Sequence, residues 1–362
     1  MSTAPLALVW HSSFAALTGY SGSSVAFTLG LDAHDVAVRP LFLYGADHDE
    51  QVMAGGLHPR VRALQHAPLR LDVPQVVYAP ADRFSKNSGS YRIGFTMLEV
   101  DRLPPNWVAQ ANQMDELWTP TAWGAATFAA SGVTRPVHVV PLGVDPARFA
   151  PMPPRQALTD RTVFLAVFEW GERKGWDILL RAYRRAFRAD DPVLLVLKVD
   201  CRVATASPAQ QLATAAPAGG PPVALIYNQP LGGVQLRELY NSADCFVLPT
   251  RGEGWGMPCL EAMACGVPAI ATDWSGSTAF VNAANGYPLP IRGLVPANQE
   301  HPYYRHAQWA DPDEEALVAL LQRVVNDPAE RRRKAAQALA DVQQWTWQRG
   351  LDVMLTRLRA VS

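Results

Sequence analysis

The chain has 362 residues, 49% hydrophobic and 18% charged, with a formal net charge of −1; that is the profile of a globular protein long enough for two domains with separate cores. It excludes a mainly disordered chain and a small disulfide-stapled scaffold. The 32 basic and 33 acidic residues nearly cancel, which excludes a broad polyanion-binding surface. Among the basic residues only Lys86, Lys174, Lys198 and Lys334 are lysines, so each draws attention.

Taken in chain order, short apolar runs alternate with helical patterns, which predicts parallel strands and intervening helices. Strands are predicted at 6–10, 36–44, 76–78, 92–97, 116–119 and 137–141, then at 163–168, 193–199, 223–227, 245–249 and 269–271. The proline-rich stretch 143–160 separates the two sets and reads as a linker. Beyond it, Trp176, Leu179, Leu180, Tyr183 and Phe187 share one helix face, leaving Arg181, Arg184, Arg185 and Arg188 for a solvated one. The Ala-, Gln-, Gly- and Pro-rich segment 201–222 reads as a peripheral excursion. Helices are predicted over 314–326, capped by Asp311 or Asp313, over 329–343, and over 345–358.

The four cysteines, Cys201, Cys245, Cys259 and Cys265, lack metal-ligand or disulfide spacing. The apolar run 6–10 is too short for a signal peptide or a membrane span, so a cytoplasmic location is expected. The basic run Arg331–Lys334 reads as a solvated helix face, with docking to anionic lipid as the lesser alternative. Tyr303, Tyr304 and Trp309 either line a sugar-binding edge or pack on their own domain.

The richest segment is 243–276, ADCFVLPTRGEGWGMPCLEAMACGVPAIATDWSG. It reads as strand, glycine-rich loop, helix, strand and loop. Gly252, Gly254 and Gly256 permit close backbone approach to a ligand, and Pro258 stands where a helix begins, so the loop and helix start form an anion site suited to a pyrophosphate. Glu253 and Glu261 bracket that site. Carboxylates beside an anion site are best read as acceptors for hydroxyl pairs, which describes a ligand with a diol at each end and phosphate between: a nucleotide sugar.

These residues carry a resemblance. EGWGMPCLE resembles the E-x7-E element of the retaining family-4 glycosyltransferases of the GT-B fold, the glycosyltransferases group 1, and EAMACGVPAIATDWSG resembles its continuation. FEWGERKGWDILLRAYRRAF, LYNSADCFVLPT, VVPLGVDPARF and WTWQRGLDVML resemble further elements of that family, so the likeness covers most of the chain.

The resemblance implies an α/β chain of two Rossmann-like, doubly wound domains facing across a cleft, 1–155 on the acceptor side and 156–344 holding the nucleotide sugar. The last helix, 345–362, would cross back to the first domain. It implies that Glu261 binds the ribose hydroxyls and Glu253 the donor sugar, and that backbone amides of Gly254, Trp255, Gly256 and Met257 face the sugar and phosphates. Arg173 and Lys174 would neutralise the diphosphate and the leaving group. From the first domain, the loop HSSFAALTGYSGSS would bring Gly22 and Ser23 to the phosphates, and Tyr227–Asn228 would meet the base, uracil or guanine. Three positions depart from the pattern: Phe168 replaces a common arginine, with Arg173 the substitute; TMLEVDRLPPNW offers Glu99 and Asp101 where a histidine is common; and Leu142 replaces the usual asparagine, a change of packing. Glu99 is the residue placed near the reacting centre.

The implied reaction moves a sugar, with retention, from a nucleoside diphosphate to an acceptor hydroxyl of a glycan, glycolipid or small molecule. A front-side route in which the leaving phosphate helps deprotonate the acceptor needs no covalent nucleophile and no metal or other cofactor. The expected partners are donor and acceptor, with no nucleic acid and at most a weak peripheral membrane contact. Alternatives are an epimerase or phosphorylase on the same fold, a catalytically silent partner in a glycan-assembly complex, or a metal-dependent GT-A enzyme using Asp47 and Asp49.

Overall fold

The computed structural model describes residues 6–15, 18–45, 56–152, 159–201, 207–215 and 219–361. Asp47 and Asp49 lie outside them. The chain divides into two compact units, one of Met1–Gly143, Asn298–Ala307 and Thr346–Ser362, the other of Val144–Ala297 and Gln308–Trp345.

The first unit is built on a parallel sheet of strands β1 (Ala7–Ser12), β2 (Ala37–Phe42), β3 (Gln75–Tyr78), β4 (Arg92–Phe95), β5 (Glu116–Thr119) and β6 (Val137–Val139), in the order β2-β1-β3-β4-β5-β6. Every second residue points to one face. There Trp10, Tyr78, Phe95 and Trp118 pack across adjacent strands, with centroids 5.8, 4.2 and 6.0 Å apart, the middle pair stacked and the outer two edge-on. Helix α1 (Gly19–Ala33) covers them with Phe27, 6.0 Å from Trp10. The helices α2 (Pro59–Leu64), α3 (Pro105–Ala111) and α4 (Ala122–Ala130) complete the unit together with a C-terminal helix, α11 (Trp347–Val361), numbered in chain order. Trp347 meets Phe27 at 5.1 Å.

A buried charge pins α11. Glu116 is fully buried on β5 and accepts from Trp118 Nε1 (2.7 Å), Tyr91 Oη (3.1 Å) and Arg357 Nη2 (2.6 Å). Three donors on one carboxylate offset the cost of removing it from water.

The second unit has strands β7 (Thr162–Glu169), β8 (Val193–Asp200), β9 (Val223–Tyr227), β10 (Cys245–Leu248), β11 (Ala269–Thr272) and β12 (Tyr287–Leu289) in the parallel order β12-β11-β10-β7-β8-β9, plus an antiparallel hairpin, β13 (Ile291–Pro296) and β14 (Gln308–Pro312). Helices α5 (Trp176–Ala186), α6 (Pro208–Ala215), α7 (Gly233–Ser242), α8 (Met257–Ala264), α9 (Glu314–Asn326) and α10 (Pro328–Val342) surround it. Cys245 and Val247 of β10 face the layer made by Leu179, Leu180 and Tyr183 of α5 with Leu317 and Leu321 of α9. Phe246, between them, meets Tyr240 of α7 at 6.1 Å.

Each predicted strand has its counterpart, with ends shifted by a few residues; β12, β13 and β14 were not anticipated. Three other readings are corrected. Gly22 and Ser23 are not in a loop: α1 starts at Gly19, capped by Thr18, whose hydroxyl accepts from Ser21 N. The arginine face of α5 is tied as well as hydrated, since Arg181 and Arg185 reach Glu314 of α9 at 2.9 and 3.1 Å. The basic run on α10 is only partly a surface feature. Lys334 is buried, donates to Gly286 O (2.8 Å) and Ala283 O, and lies over the Tyr287 ring. Arg331 pairs with Asp244 at 3.3 Å, so half the charge proposed for lipid docking is spent inside the unit. No described helix is long and apolar enough to cross a membrane.

Candidate functional site

In the second unit the strand order reverses between β7 and β10, and the carboxyl ends of two such strands are where doubly wound sheets bind ligands. After β7 a short 3-10 turn, Glu172–Lys174, leads through Gly175 into α5; after β10 the loop 249–256 leads into α8. The two loops are fastened to each other. Gly175 has φ +66°, and a Cβ there would lie 2.0 Å from Pro249 O, so only glycine fits. Arg251 N donates to Arg173 O (2.7 Å), and the Arg251 guanidinium grips Asp177, in the first turn of α5, through two bonds of 2.9 and 2.8 Å.

Glu253 is fixed from behind. Its amide donates to Ser275 Oγ (2.9 Å), its carbonyl accepts from Gly276 N (2.9 Å), and a Cβ on Gly276 would come within 2.7 Å of that carbonyl. The carboxylate is 5% exposed and receives Lys174 Nζ at 2.5 Å; Arg173 Nη1 lies 3.4 Å away and donates to Gly252 O at 2.6 Å. Burial works against the charged carboxylate, but Lys174 and then Arg173 outweigh it and hold Glu253 below the usual carboxylate range. The structure thus joins Arg173, Lys174 and Glu253 into one group of net charge +1, with the carboxylate buried and the two cations half-buried.

Beside this group the backbone turns through Gly256, φ +100°, into α8. Among the described residues, no group accepts from the amides of Gly254, Trp255, Gly256 or Met257. Four such amides at a helix start make an anion-binding concavity. Trp255 can contribute only its backbone, because its ring is 2% exposed and packs on Phe280 (5.2 Å) and Trp345 (5.5 Å).

Glu261 follows on α8. Tyr240 Oη donates to it at 2.7 Å. Burial pushes its carboxyl up to about 7, with the Tyr240 hydrogen bond and the Arg148 charge opposing. Tyr227 ends β9 with 38% of its surface exposed, whereas the Asn228 side chain is closed on Cys201, accepting from its N (2.7 Å) and donating to its O (3.2 Å). Asn228 therefore offers a base no side-chain amide unless that bracket opens. Trp309 is 2% exposed under Arg251, which removes it from any sugar-binding edge.

The remaining residues lie in the first unit. The Gly22 amide is consumed by Thr18 O (3.1 Å), and the buried Ser23 hydroxyl is shared with Gly19 O (2.5 Å) and Tyr78 Oη (2.8 Å), so neither presents a donor to a phosphate. Glu99 is partly exposed just beyond β4, and Asp101 is held by Arg102 at 2.8 Å. Among the described residues no three His, Cys, Asp or Glu side chains group as metal ligands.

The sequence profile of the family "Glycosyl transferases group 1" matches residues 159–302, which include all of these second-unit groups except Trp309, Trp345 and the linker's Arg148. The GDP-mannose-dependent alpha-(1-6)-phosphatidylinositol monomannoside mannosyltransferase of Mycolicibacterium smegmatis is 30% identical over 275 residues, covering 71% of this chain and 67% of that one. The chain belongs to the group 1 glycosyltransferases. A second member, the D-inositol 3-phosphate glycosyltransferase of Actinosynnema mirum, is 28% identical over 71% of this chain, and the match spans just 57% of that relative's length. Two solved structures give the fold as GT-B. Sucrose-phosphate synthase from Thermosynechococcus elongatus matches with a TM-score of 0.72 at 15% identity, covering 98% of this chain and 99% of that one. Anabaena HepE in complex with UDP and glucose matches with a TM-score of 0.72 at 12% identity, covering 98% and 100%.

Around this site, four supports escaped sequence reasoning: Ser275 and Gly276 behind Glu253, the Arg251–Asp177 clamp, and Tyr240 on Glu261. The glycine and serine of DWSG were visible as a turn. Their target, some twenty residues upstream, was not.

Proposed function

We propose that the protein transfers a sugar from a nucleoside diphosphate to an acceptor hydroxyl with retention and without a metal. The observation that carries this reading is the Arg173–Lys174–Glu253 group set against four amides with no described acceptor at the sheet's switch point. A diphosphate there meets two cations and a row of N–H donors, and the sugar falls beside Glu253. As the bond from the anomeric carbon to the phosphate oxygen breaks, negative charge grows on the diphosphate, where Lys174 and Arg173 stabilise it. The acceptor oxygen bonds to the same face of that carbon, and its proton passes to the departing phosphate oxygen. Glu253, held ionised, supports the positive charge developing on the sugar ring. Relatives named for GDP-mannose make that donor the first to test.

The experiment is a thermal-shift screen with UDP, GDP, ADP and their sugars. One base class at about a hundred times its Kd should stabilise the protein by about 2.7 kcal/mol and raise Tm by about 5–10 °C. No shift with any nucleotide overturns the reading. Activity lost to EDTA would overturn its metal independence, and an inverted anomer seen by NMR its stereochemistry.

Glu261 supplies a pH dependence. A ribose diol donates to the carboxylate, so binding favours the ionised form and lowers a pKa that stands near 7 in the free protein. Nucleotide affinity should therefore rise between pH 6 and pH 8. Glu261→Gln should weaken binding about tenfold, the order of one charge-assisted hydrogen bond, and remove that part of the pH dependence. Titration calorimetry of the variant against the parent cancels the nucleotide phosphate's own ionisation.

A further inference from the structure

The second unit holds a cavity of about 490 Å³ at the far end of its sheet from Glu253, within the size range of small-molecule sites, about 300–1,000 Å³. Ala243 and Asp244 precede β10, and Val267 and Pro268 precede β11, so the floor is made where these strands begin. The glycine-rich loop 249–256 lies where β10 ends. Cys265, just past α8, and Ala336 and Leu339 of α10 close the sides.

The polar side chains in this wall are engaged by the protein itself. Asn241 accepts from Met152 N (2.7 Å) and donates to Ala150 O (3.1 Å) and Arg237 O (2.9 Å). Asp244 accepts from Val163 N (2.9 Å) and pairs with Arg331 at 3.3 Å, and Arg331 also donates to Val324 O (3.0 Å). The rest of the floor is apolar, with Ala243, Cys265, Val267 and Pro268 all buried. One charge is left over. Of the basic run on α10, Lys334 is buried, Arg331 is paired and Arg333 lies 3.7 Å from Glu330. Arg332 is exposed at the mouth of the cavity and, among the described residues, forms no hydrogen bond or ion pair.

We propose that this cavity is a second ligand site, separate from the nucleotide loop, and that it takes a free amphiphile with one anionic head, such as a carboxylate, on an apolar chain. The floor takes the chain, and no polar group of the ligand is then buried without a partner. Arg332 takes the head in a charge-assisted pair whose open side stays in water. A sugar or a nucleotide fits poorly, because its hydroxyls would meet side chains whose hydrogen bonds are already made. The charge matches a single anion: Arg331 and Asp244 cancel, Arg332 remains, and the carboxyl end of α8 adds negative potential that opposes a second head charge. A membrane surface calls instead for several free cations on a raised face, whereas here Arg331 and Lys334 are spent and the apolar surface is recessed.

The test is a ligand-observed NMR titration of the full chain with octanoate and with octylammonium, both as monomers, beside flotation with phosphatidylglycerol vesicles. Octanoate should bind about fivefold or more tightly than octylammonium, the size of one exposed charge pair. Arg332→Gln should weaken octanoate binding about threefold to fivefold, and Arg332→Glu should reverse the preference toward octylammonium. Ala336→Trp, which fills the cavity from an exposed helix position, should abolish binding of both. Substitutions at these exposed positions should leave Tm within about 2 °C of the parent. Equal binding of the two head charges overturns the proposal, as does parent-like octanoate binding by Ala336→Trp or by the Arg332 variants. Capture by vesicles with no binding of monomeric octanoate overturns it in favour of a membrane contact. GDP should neither compete with octanoate nor lose affinity in these variants, since the two sites lie at opposite ends of the sheet; displacement of octanoate by GDP overturns the separate site.

Discussion

Lys174→Met should lower kcat about 10²–10³-fold, the range seen when one preorganised donor to a developing anion is removed. Two effects act together. Lys174 Nζ is the nearest cation to Glu253, at 2.5 Å, and on the proposed reading it meets the departing diphosphate. Its loss removes stabilisation of the leaving group and also the main charge that keeps Glu253 ionised against burial. Glu253 should then titrate higher, so residual activity should climb with pH over a range where the parent is flat. Arg173 substitutes only in part, because its Nη1 already donates to Gly252 O at 2.6 Å and lies farther from Glu253, at 3.4 Å. Steady-state assays of nucleotide release, with KM separated from kcat, check this; a variant with kcat within tenfold of the parent would remove Lys174 from the chemistry.

Arg357→Leu should destabilise the protein by about 3 kcal/mol, near the lower end for breaking a buried ion pair, because Tyr91 and Trp118 still donate to the stranded carboxylate. For a unit of this size that corresponds to a fall in Tm of about 6–12 °C. The double variant Glu116→Gln with Arg357→Leu should recover much of it, since no charge is then left in the core. Differential scanning calorimetry measures both. If the single variant melts with the parent, α11 is held by Trp347, Leu351 and Leu355 alone.

The strands were legible because a parallel strand buried on both faces must be an unbroken apolar run, as in 163–168 and 193–199. The hairpin β13–β14 was not, because β13 is largely exposed and the two strands carry glycine, prolines, an arginine and an aspartate and give no such run. The start of α1 was hidden for the opposite reason. GYSGSS has the composition of a loop, yet Ser21, Ser23 and Ser24 are buried and bonded within the unit, so tertiary partners override a poor helix propensity.

By itself the sequence determined the alternating α/β class and the glycine-rich loop, because these follow from local patterns of residue type and spacing; it singled out Glu253 and Glu261 as candidates from the same pattern, and Arg173 and Lys174 through the family resemblance. What it could not decide was which groups are spent on each other. Lys174 and Glu253 are 79 positions apart, Arg357 and Glu116 are 241 apart, and Tyr303 and Asp82 are 221 apart. Spacing along a chain carries no distance once the chain folds back, so the pairing, the resulting pKa shifts, and the amides left to receive a ligand belong to the tertiary structure alone.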